Sequence, residues 1–483
     1  MKLVWRITVG VAAFTLSACN ETVREEAAVL GGSSGGVDST PIDDDPEDET
    51  GGPFGPLLDI GADPDGPSPS GGCPSGAAGG DATLSGTVFA PNGELPISGA
   101  VVWAQPNAPD GIPDHVYCES CVELPCAQPH TLTRPDGSFD LSLPSGTSWF
   151  VVQKGQFMRA TEVEVAPESA QTMSTSATTL PSTRAPADGK WTPKIALAWG
   201  EYDQLEDGLA KLGLGELEGG RTLVPGSERF DVWTNHSGDQ HPLTTDAKGT
   251  FAELLSDPEL LAQYHIIFVP CTSSPHTDLL DDPEIVENVR QWVEAGGKWY
   301  VSDWSLAFLE KPFPSYQDWW EDDWSGGPYL DDFDTRGTVL DDDLRAWLDG
   351  LPPELGDINP QNPDNPVHPT LEHLPEIELV DLWSTIKKTP PVLVDDGNGN
   401  EVDVGHRVWI EGPGGGGDGA PRNKDWPLAV TAEYGCGRML FSSYHTVEWS
   451  EGYQGLTPQE LVLMYLILEI GVCQVPYEPP PVP

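Results

Sequence analysis

The sequence predicts a protein of the α/β plus β class, in which a small β-sandwich is followed by a three-layer α/β/α domain. Short alternating apolar segments separated by Gly and Pro begin at residue 81, and apolar strands alternating with amphipathic helices begin near residue 190. The 483 residues suffice for at least two domains. A formal net charge of −53, from 24 Lys and Arg against 77 Asp and Glu, argues against nucleic acid as a partner.

Residues 1–19 have the pattern of an export signal. A basic start precedes an apolar run of about ten residues, from Ile7 to Leu16, which is too short to be a permanent membrane helix. The following residues, Leu16-Ser17-Ala18-Cys19, resemble the lipobox of bacterial lipoproteins, which implies that Cys19 is acylated and becomes the mature N-terminus. Asn20 after the cysteine implies the outer membrane of a Gram-negative cell envelope. An ordinary cleaved signal with a chance cysteine is the alternative.

Residues 20–80 are predicted to be a disordered acidic linker. They are rich in Gly, Ser and Pro and include the acidic run Asp43–Glu49. Low hydrophobicity combined with charge of one sign does not offset the entropy of ordering. We therefore expect a self-repelling tether that holds the folded part away from the lipid surface.

Seven cysteines remain besides Cys19, an odd number that leaves at least one unpaired if all disulfides are internal. Three of them lie close together near His115 and His130, a pattern that zinc sites also show. In an oxidising compartment, disulfides among these three and one earlier cysteine are the favoured use. The disulfide candidates are Cys73, Cys118, Cys121 and Cys126.

Residues 81–168 contain short strands separated by turns. The segments Ser85–Val88, Pro96–Val101 and Pro135–Leu141 resemble the carboxypeptidase regulatory-like domain. The resemblance implies a seven-stranded, Ig-like β-sandwich without catalytic activity. The cysteine-rich residues 106–130 depart from the family pattern as an insertion between two strands.

Residues 169–189, mostly Ser, Thr, Ala and Pro, are predicted to be a second linker. Strands and helices then alternate through residues 190–475, which predicts a largely parallel sheet covered on both faces. Residues 311–375, rich in Pro, Asp and Trp, have the composition of a long insertion, and residues 476–483 form a Pro-rich tail.

The C-terminal region also resembles a known family. Its order of strands and helices, with Tyr264–Pro270, Val289–Ser302 and Tyr434–His445, resembles the class I glutamine amidotransferase-like fold, particularly its trehalose-utilisation-type branch. This implies a flavodoxin-like three-layer domain. Working amidotransferases carry a nucleophilic Cys on a tight, Gly-flanked turn after the strand that follows Gly-Gly. Here that turn reads Val301–Ser305, with neither Cys nor Gly.

A rival set of catalytic residues is nevertheless present. Cys271 ends the preceding strand, and His445 with Glu448 could act as base and orienting acid, although the family pair is separated by one residue and this pair by two. The simpler interpretation is a packed or disulfide-bonded Cys271 and a polar strand-end His445. Ser302 with His445 is a weaker serine-hydrolase alternative.

The sequence is also compatible with two classes of ligand, sugars and calcium. Trp319, Trp320 and Trp324 could stack on sugar rings, and the acidic stretch of residues 331–343 could bind calcium, although we select no metal-ligating set. No cofactor is expected. The sequence thus predicts a lipid-anchored envelope protein that binds or scaffolds a glycan or another protein. The alternative is a Cys/His hydrolase or amidase acting on an extracytoplasmic substrate.

Overall fold

A computed structural model describes the folded part of the chain. The described residues are 79–118, 121–125, 127–200, 202–235, 243, 246–272, 276–319, 333–352, 355, 371, 373–382, 384–395, 399, 401–414, 423–446, 455–468, 471–473 and 482. The predictions for the export signal, Cys19, nearly all of the acidic linker, Cys73, Cys126 and Glu448 lie outside these residues. Cys121 is described by its backbone only.

The first strands form two sheets, except for the short strand Cys121–Glu123, which pairs with Gly471–Cys473. Their bounds are β1 Ala82–Thr87, β2 Val101–Gln105, β3 Cys121–Glu123, β4 His130–Leu132, β5 Ser138–Leu143, β6 Gly146–Lys154, β7 Phe157–Val165, β8 Ala170–Thr172, α1 Thr175–Thr178 and β9 Lys190–Trp191. One sheet has the order β5-β1-β8 and the other the order β4-β2-β6-β7-β9. Leu84 and Leu141 from the first sheet share a buried core with Val102 and Val152 from the second. Alternation along the strands therefore produces this core.

Residues 169–189, which their composition predicts to be a linker, pack on this β region. Strand β8 runs parallel to β1, and the Leu180 N–H donates to the carbonyl of Phe89 at 2.8 Å. The side chain of Arg159 donates to the carbonyl of Thr179. Backbone hydrogen bonds hold an edge segment whatever its side chains are, so composition alone did not predict this order.

The second group of elements follows from residue 195. Its strands are β10 Ile195–Trp199, β11 Leu217–Glu218, β12 Thr222–Leu223, β13 Asp231–Thr234, β14 Ile266–Val269, β15 Lys298–Ser302, β16 Asp318–Trp319, β17 Phe333–Val339, β18 Glu376–Leu382, β19 Ile386–Lys388, β20 Leu393–Asp395, β21 Glu401–Asp403, β22 Arg407–Pro413, β23 Asp425–Tyr434, β24 Gly437–Ser442 and β25 Gly471–Cys473. Its α-helices are α2 Leu205–Leu209, α3 Phe251–Ser256, α4 Pro258–Leu261, α5 Pro283–Glu294, α6 Ala307–Glu310, α7 Asp342–Asp349 and α8 Pro458–Ile467. A π-helical turn, Ala210–Leu214, continues α2, and single 3₁₀ turns cover Pro186–Asp188, Thr277–Asp281 and Asp303–Ser305.

A nine-stranded sheet of order β13-β10-β14-β15-β24-β23-β22-β17-β18 dominates this region. The first five strands are parallel, and the remaining four continue the sheet in antiparallel fashion. Residues 311–375, which have the composition of an insertion, supply β17 to this sheet and helix α7 beside it. Strand β17 is rich in polar residues, so its pairing with β22 and β18 was not visible in the sequence.

Alternate residues of β10 face two different cores. Ile195 and Leu197 belong to the core that includes helix α8, whereas Ala196 and Ala198 belong to the core that includes helices α3 and α5. The sheet is therefore buried on both faces, as its continuous apolar strands predict. The general α/β plus β class is confirmed.

Side chains cap the starts of two helices. The Asp282 side chain accepts the Glu284 N–H at 2.9 Å at the start of α5. Thr457 and Glu460 form a reciprocal capping box at the start of α8. No helix among the described residues is long and apolar enough to cross a bilayer.

The strands of the two N-terminal sheets and the large sheet are packed against each other. A single buried core includes residues from both, and the indole N–H of Trp347 donates to the carbonyl of Pro96 at 2.9 Å. A disulfide joins Cys118 to Cys436, in the turn between β23 and β24. Cys118 was a predicted disulfide cysteine, but Cys436 was not among its expected partners, because sequence spacing does not reveal which distant turn the insertion contacts.

Candidate functional site at the carboxyl edge of the parallel strands

Three titratable side chains meet where the parallel strands end. Cys271 follows β14, Asp303 follows β15 and His445 follows β24. Their sulfur, carboxylate and ring-nitrogen donor atoms all lie within 4.8 Å of one another. The residues are 1%, 0% and 2% exposed, respectively. The structure thus brings Cys271 and His445 together, as the hydrolase alternative requires, but it buries both.

Asp303 occupies the turn at which an amidotransferase-like fold would hold its nucleophile. Its backbone is left-handed, with φ of 44°, immediately after β15. Asp tolerates this conformation better than most residues other than Gly. Its Oδ2 lies 3.1 Å from Nε2 of His445. The sequence identifies this turn, but a family nucleophile there would be Cys beside Gly, so the acid was not predicted. No sequence signal singled out this acid, because its positive φ appears only in the structure.

A second carboxylate ties the neighbouring strand ends together. The Cys271 N–H donates to Oγ of Ser302 at 3.0 Å, and that hydroxyl donates to Oδ2 of Asp203 at 2.6 Å. The Thr446 N–H donates to the other oxygen of Asp203 at 3.0 Å. All four residues are buried. Because the Ser302 hydroxyl donates to a carboxylate, it is a structural link here, and Asp203 and Thr446 are site residues that the sequence analysis missed.

Burial and the neighbouring charges determine the protonation states. Burial raises the pKa of Cys271 to about 11, although His445 acts in the opposite direction. Burial acts to lower the pKa of His445, but interactions with Cys271 and Asp303 raise it well above 6.5. At neutral pH burial therefore keeps the Cys271 thiol protonated. A protonated thiol is a poor nucleophile.

Other buried polar groups lie at the same edge of the sheet. Asn235 follows β13, Thr272 follows Cys271, and both are fully buried. Neither the side-chain amide of Asn235 nor the hydroxyl of Thr272 has a hydrogen-bond partner among the described residues. Such groups are uncommon in folded proteins and mark places where water, an ion or a ligand completes the bonding. No sequence signal singled them out.

The structure also places residues of the possible calcium site and of the possible zinc site in the cysteine cluster. Asp341 caps helix α7 through the Leu344 N–H at 2.7 Å and also accepts from Arg407 at 2.5 Å, so its carboxylate is already occupied. Asp331 and Asp332 lie outside the described residues. Cys118 is in a disulfide, so the zinc interpretation of its cysteine cluster loses that ligand.

The tryptophan cluster is described only in part. Trp319 is 3% exposed and packs edge-on against Phe441, with 4.7 Å between ring centroids. It therefore belongs to the core and presents no stacking face to a sugar. Trp320 and Trp324 lie outside the described residues.

No family model matches this chain, and no curated protein matches it. Among solved structures, the cytoplasmic protein STM3548 from Salmonella typhimurium is 10% identical, with 57% of this chain and 98% of that chain covered and a TM-score of 0.29. The cytoplasmic protein STM1381 from Salmonella typhimurium LT2 is 12% identical, with coverage of 57% and 97% and a TM-score of 0.28. A β-galactosidase from Bacillus circulans sp. alkalophilus is 11% identical, with a TM-score of 0.27, and the match covers 57% of this chain but only 30% of the enzyme. None of these likenesses carries an argument about function.

Proposed function

We propose that this chain is a lipid-anchored cell-envelope protein whose folded part binds or scaffolds a glycan or another envelope protein without catalysing a reaction. The observation that carries the proposal is the burial of Cys271, which is 1% exposed and whose thiol is protonated at neutral pH. An acid, Asp303, takes the position that the nucleophile of the resembled family occupies. A covalent mechanism lacks both an exposed sulfur and a thiolate.

We further propose an Ig-like sandwich over residues 81–168 and a flavodoxin-like domain over residues 190–475. The strand order β13-β10-β14-β15-β24 supports the second assignment, because it corresponds to the doubly wound order 2-1-3-4-5. In such sheets the ligand crevice lies outside the carboxyl ends of the strands, at the point where strand order reverses. That point is the junction of β10 and β14, one strand away from Asn235. We assign the binding site to this edge.

Glycan-array binding by the full-length protein, purified in detergent, tests the binding role. We expect binding by wild type, a reduction of at least about tenfold in Asn235→Leu, and no change in the exposed control Asn107→Leu, since loss of one recognising polar group typically costs 1.4 kcal/mol or more. Equal binding by both variants would contradict the assignment of the binding site to this edge of the sheet.

The anchor has its own test. Radioactive fatty acid fed to expressing cells should label wild type and leave Cys19→Ser unlabelled, because the thioether to diacylglycerol forms only at that sulfur. Equal labelling of the two proteins would contradict the lipoprotein assignment.

A Cys/His hydrolase is the second candidate, favoured by the convergence of Cys271 and His445 within 4.8 Å. Asp303, 3.1 Å from the imidazole, would take the orienting role that the sequence analysis gave to Glu448. Turnover of amide and ester substrates by wild type, abolished in Cys271→Ser and retained in the Cys118→Ser/Cys436→Ser control, would establish this function and overturn the binding role. We expect no turnover.

A further inference from the structure

We propose that Cys271, Asp303 and His445 form a binding site for Zn²⁺ or a similar transition-metal dication. This inference goes beyond the binding function above and holds whether or not the protein recognises a glycan. The set combines a thiolate sulfur, an imidazole nitrogen and a carboxylate oxygen, which are the three donor types that zinc accepts. Calcium and magnesium prefer oxygen donors alone, so the sulfur selects against them.

The spacing of the donors fits a tetrahedral ion. Zinc bonds of about 2.0–2.3 Å place neighbouring donor atoms roughly 3.3–3.8 Å apart. In this cluster Oδ2 of Asp303 lies 3.1 Å from Nε2 of His445, and every donor pair lies within 4.8 Å. The outer spacing exceeds the tetrahedral spacing by about 1 Å, so side-chain rotations that move the donor atoms by that distance would allow all three to bind one ion. Among the described residues, this is the one group of three such donors that meets this spacing.

Charge also favours a dication at this place. A thiolate and a carboxylate carry two negative charges, and a neutral imidazole adds none, so a bound dication gives a site with no net charge. Burying isolated ionised groups is costly unless they are paired or coordinate a metal. The ion displaces the thiol proton of Cys271 and one ring proton of His445, and both protons leave for solvent as the metal–sulfur and metal–nitrogen bonds form.

The surrounding framework is rigid enough to hold such a site. The three donors follow β14, β15 and β24, which are hydrogen-bonded neighbours in one sheet. Ser302 and Asp203 fix the backbone at Cys271, and Thr446, next to His445, is fixed by the same carboxylate. In metal sites, hydrogen bonds from surrounding residues orient the side chains that coordinate the ion. We assign Asp203 as a positioning residue.

The backbone conformation of Asp303 is independent evidence for a functional site at this turn. A left-handed conformation at a residue other than Gly costs free energy and persists where the surroundings impose it, often at functional sites. Three protein donors also leave a fourth tetrahedral position for water. Thr272 follows Cys271, and its buried hydroxyl lacks a partner among the described residues. A metal-bound water would supply one.

Metal content of the full-length protein tests the inference. The protein is dialysed against EDTA, reconstituted with ZnCl₂, desalted and analysed by elemental mass spectrometry, and a parallel sample receives CaCl₂. We expect one zinc per chain and no retained calcium. Substitution of Co²⁺ should give the intense near-ultraviolet charge-transfer band of a cobalt–thiolate bond together with the visible bands of a four-coordinate ion.

Variants locate the site. Cys271→Ser should abolish the charge-transfer band, and Asp303→Asn and His445→Gln should each weaken zinc retention at least about tenfold, whereas the exposed control His373→Gln should retain one equivalent. Asp203→Asn should keep the band but weaken retention. Absence of both stoichiometric zinc and the cobalt band in wild type would overturn the proposal whatever the variants do, and so would an unchanged band in folded Cys271→Ser.

Discussion

At the scale of single residues, Glu206 is a carboxyl group that the fold keeps neutral. Burial, followed by the charge of Asp207, raises the pKa of Glu206 from 4.5 to about 8. One of its oxygens accepts the indole N–H of Trp199 at 3.1 Å, and the other lacks a partner among the described residues. A neutral amide of the same shape should therefore replace it with little disturbance.

Glu206→Gln should stabilise the protein increasingly as pH rises. The unfolded chain ionises this carboxyl near pH 4.5, whereas the folded chain keeps its proton until about pH 8, so wild type loses stability across that interval and the variant does not. We expect the advantage of Glu206→Gln to grow by about 3 kcal/mol between pH 5.5 and 8.5. Urea unfolding at the two pH values measures it.

The matched control is Glu259→Gln, which changes an exposed carboxylate in the first turn of α4. Its difference from wild type should stay nearly constant over the same interval. A Glu206→Gln advantage that is equally constant would show that Glu206 ionises normally in the folded protein.

Only some of the residues at the candidate site could be predicted from the sequence. Cys271 and His445 were identified because catalytic chemistry favours their residue types, and the structure places them together. Asp303 and Asp203 were missed because acids are abundant throughout this chain, so no acid stands out by type. Only the positive φ of the first and the hydrogen bonds of the second distinguish them.

At the scale of elements, strong local signals predicted the structure well. Strand β14 is a continuous apolar run, and helix α5 has a capping Asp, a Pro in its first turn and an apolar face. The polar strand β17 and the edge strand β8 were missed because their pairing depends on distant partners rather than on their own pattern. The first half of the large sheet was therefore predictable, whereas its antiparallel extension was only partly so.

Gly437, at the start of β24, allows the strand to lie against the end of helix α5. A Cβ there would lie 1.9 Å from the carbonyl oxygen of Val293 and 2.5 Å from that of Gly297. Because backbone atoms cannot turn aside, Gly437→Ala should destabilise the protein by about 3 kcal/mol, the upper end of the usual cost of overpacking. Chemical denaturation should show this as a lower midpoint.

Gly208→Ala provides the control for this substitution. Gly208 lies within α2, and a Cβ there would meet its nearest neighbour, the Glu460 carboxylate, at 3.6 Å. Since Ala favours the helix, this change should be neutral or stabilising by up to about 1 kcal/mol. Equal effects of the two substitutions would contradict the close approach at Gly437.

A buried ion pair connects α8 to the turn after α2. Nζ of Lys211 lies 2.8 Å from Oε1 of Glu460, and the two side chains are 7% and 0% exposed. Lys211→Met should cost about 3–5 kcal/mol, because it leaves a buried carboxylate without its partner. Adding Glu460→Gln, which can preserve the capping box, should recover most of that loss. Urea unfolding of the two single variants and the double variant measures the coupling, and strictly additive effects would contradict it.

Across the whole molecule, the strands of the two N-terminal sheets and the large sheet share a core, and a disulfide joins Cys118 to the turn between β23 and β24. Composition predicted two domains separated by a linker at residues 169–189. The structure packs that segment on the N-terminal strands and places Trp347, from the predicted insertion, in hydrogen-bonding contact with Pro96. These contacts join residues far apart in the chain, which periodicity does not report. We therefore expect the two regions to unfold together.

The Cys118–Cys436 disulfide closes a loop with a sequence separation of 318 residues. Cross-linking a loop of this length restricts the unfolded chain, so Cys118→Ser/Cys436→Ser should lower the free energy of unfolding by about 2–5 kcal/mol. Denaturation without reductant measures the difference from wild type. An unchanged midpoint would show that the bond does not constrain the folded unit.

Alkylation of Cys271 by iodoacetamide at pH 7.5 in EDTA, followed by peptide mass spectrometry, distinguishes a binding role from a catalytic role for this edge of the sheet. Burial and the protonated thiol predict that the residue stays unmodified in the native protein and reacts fully after unfolding. Native modification at a rate within about tenfold of the unfolded rate would reveal an accessible thiolate. That result would contradict a non-catalytic role for the carboxyl edge of the sheet.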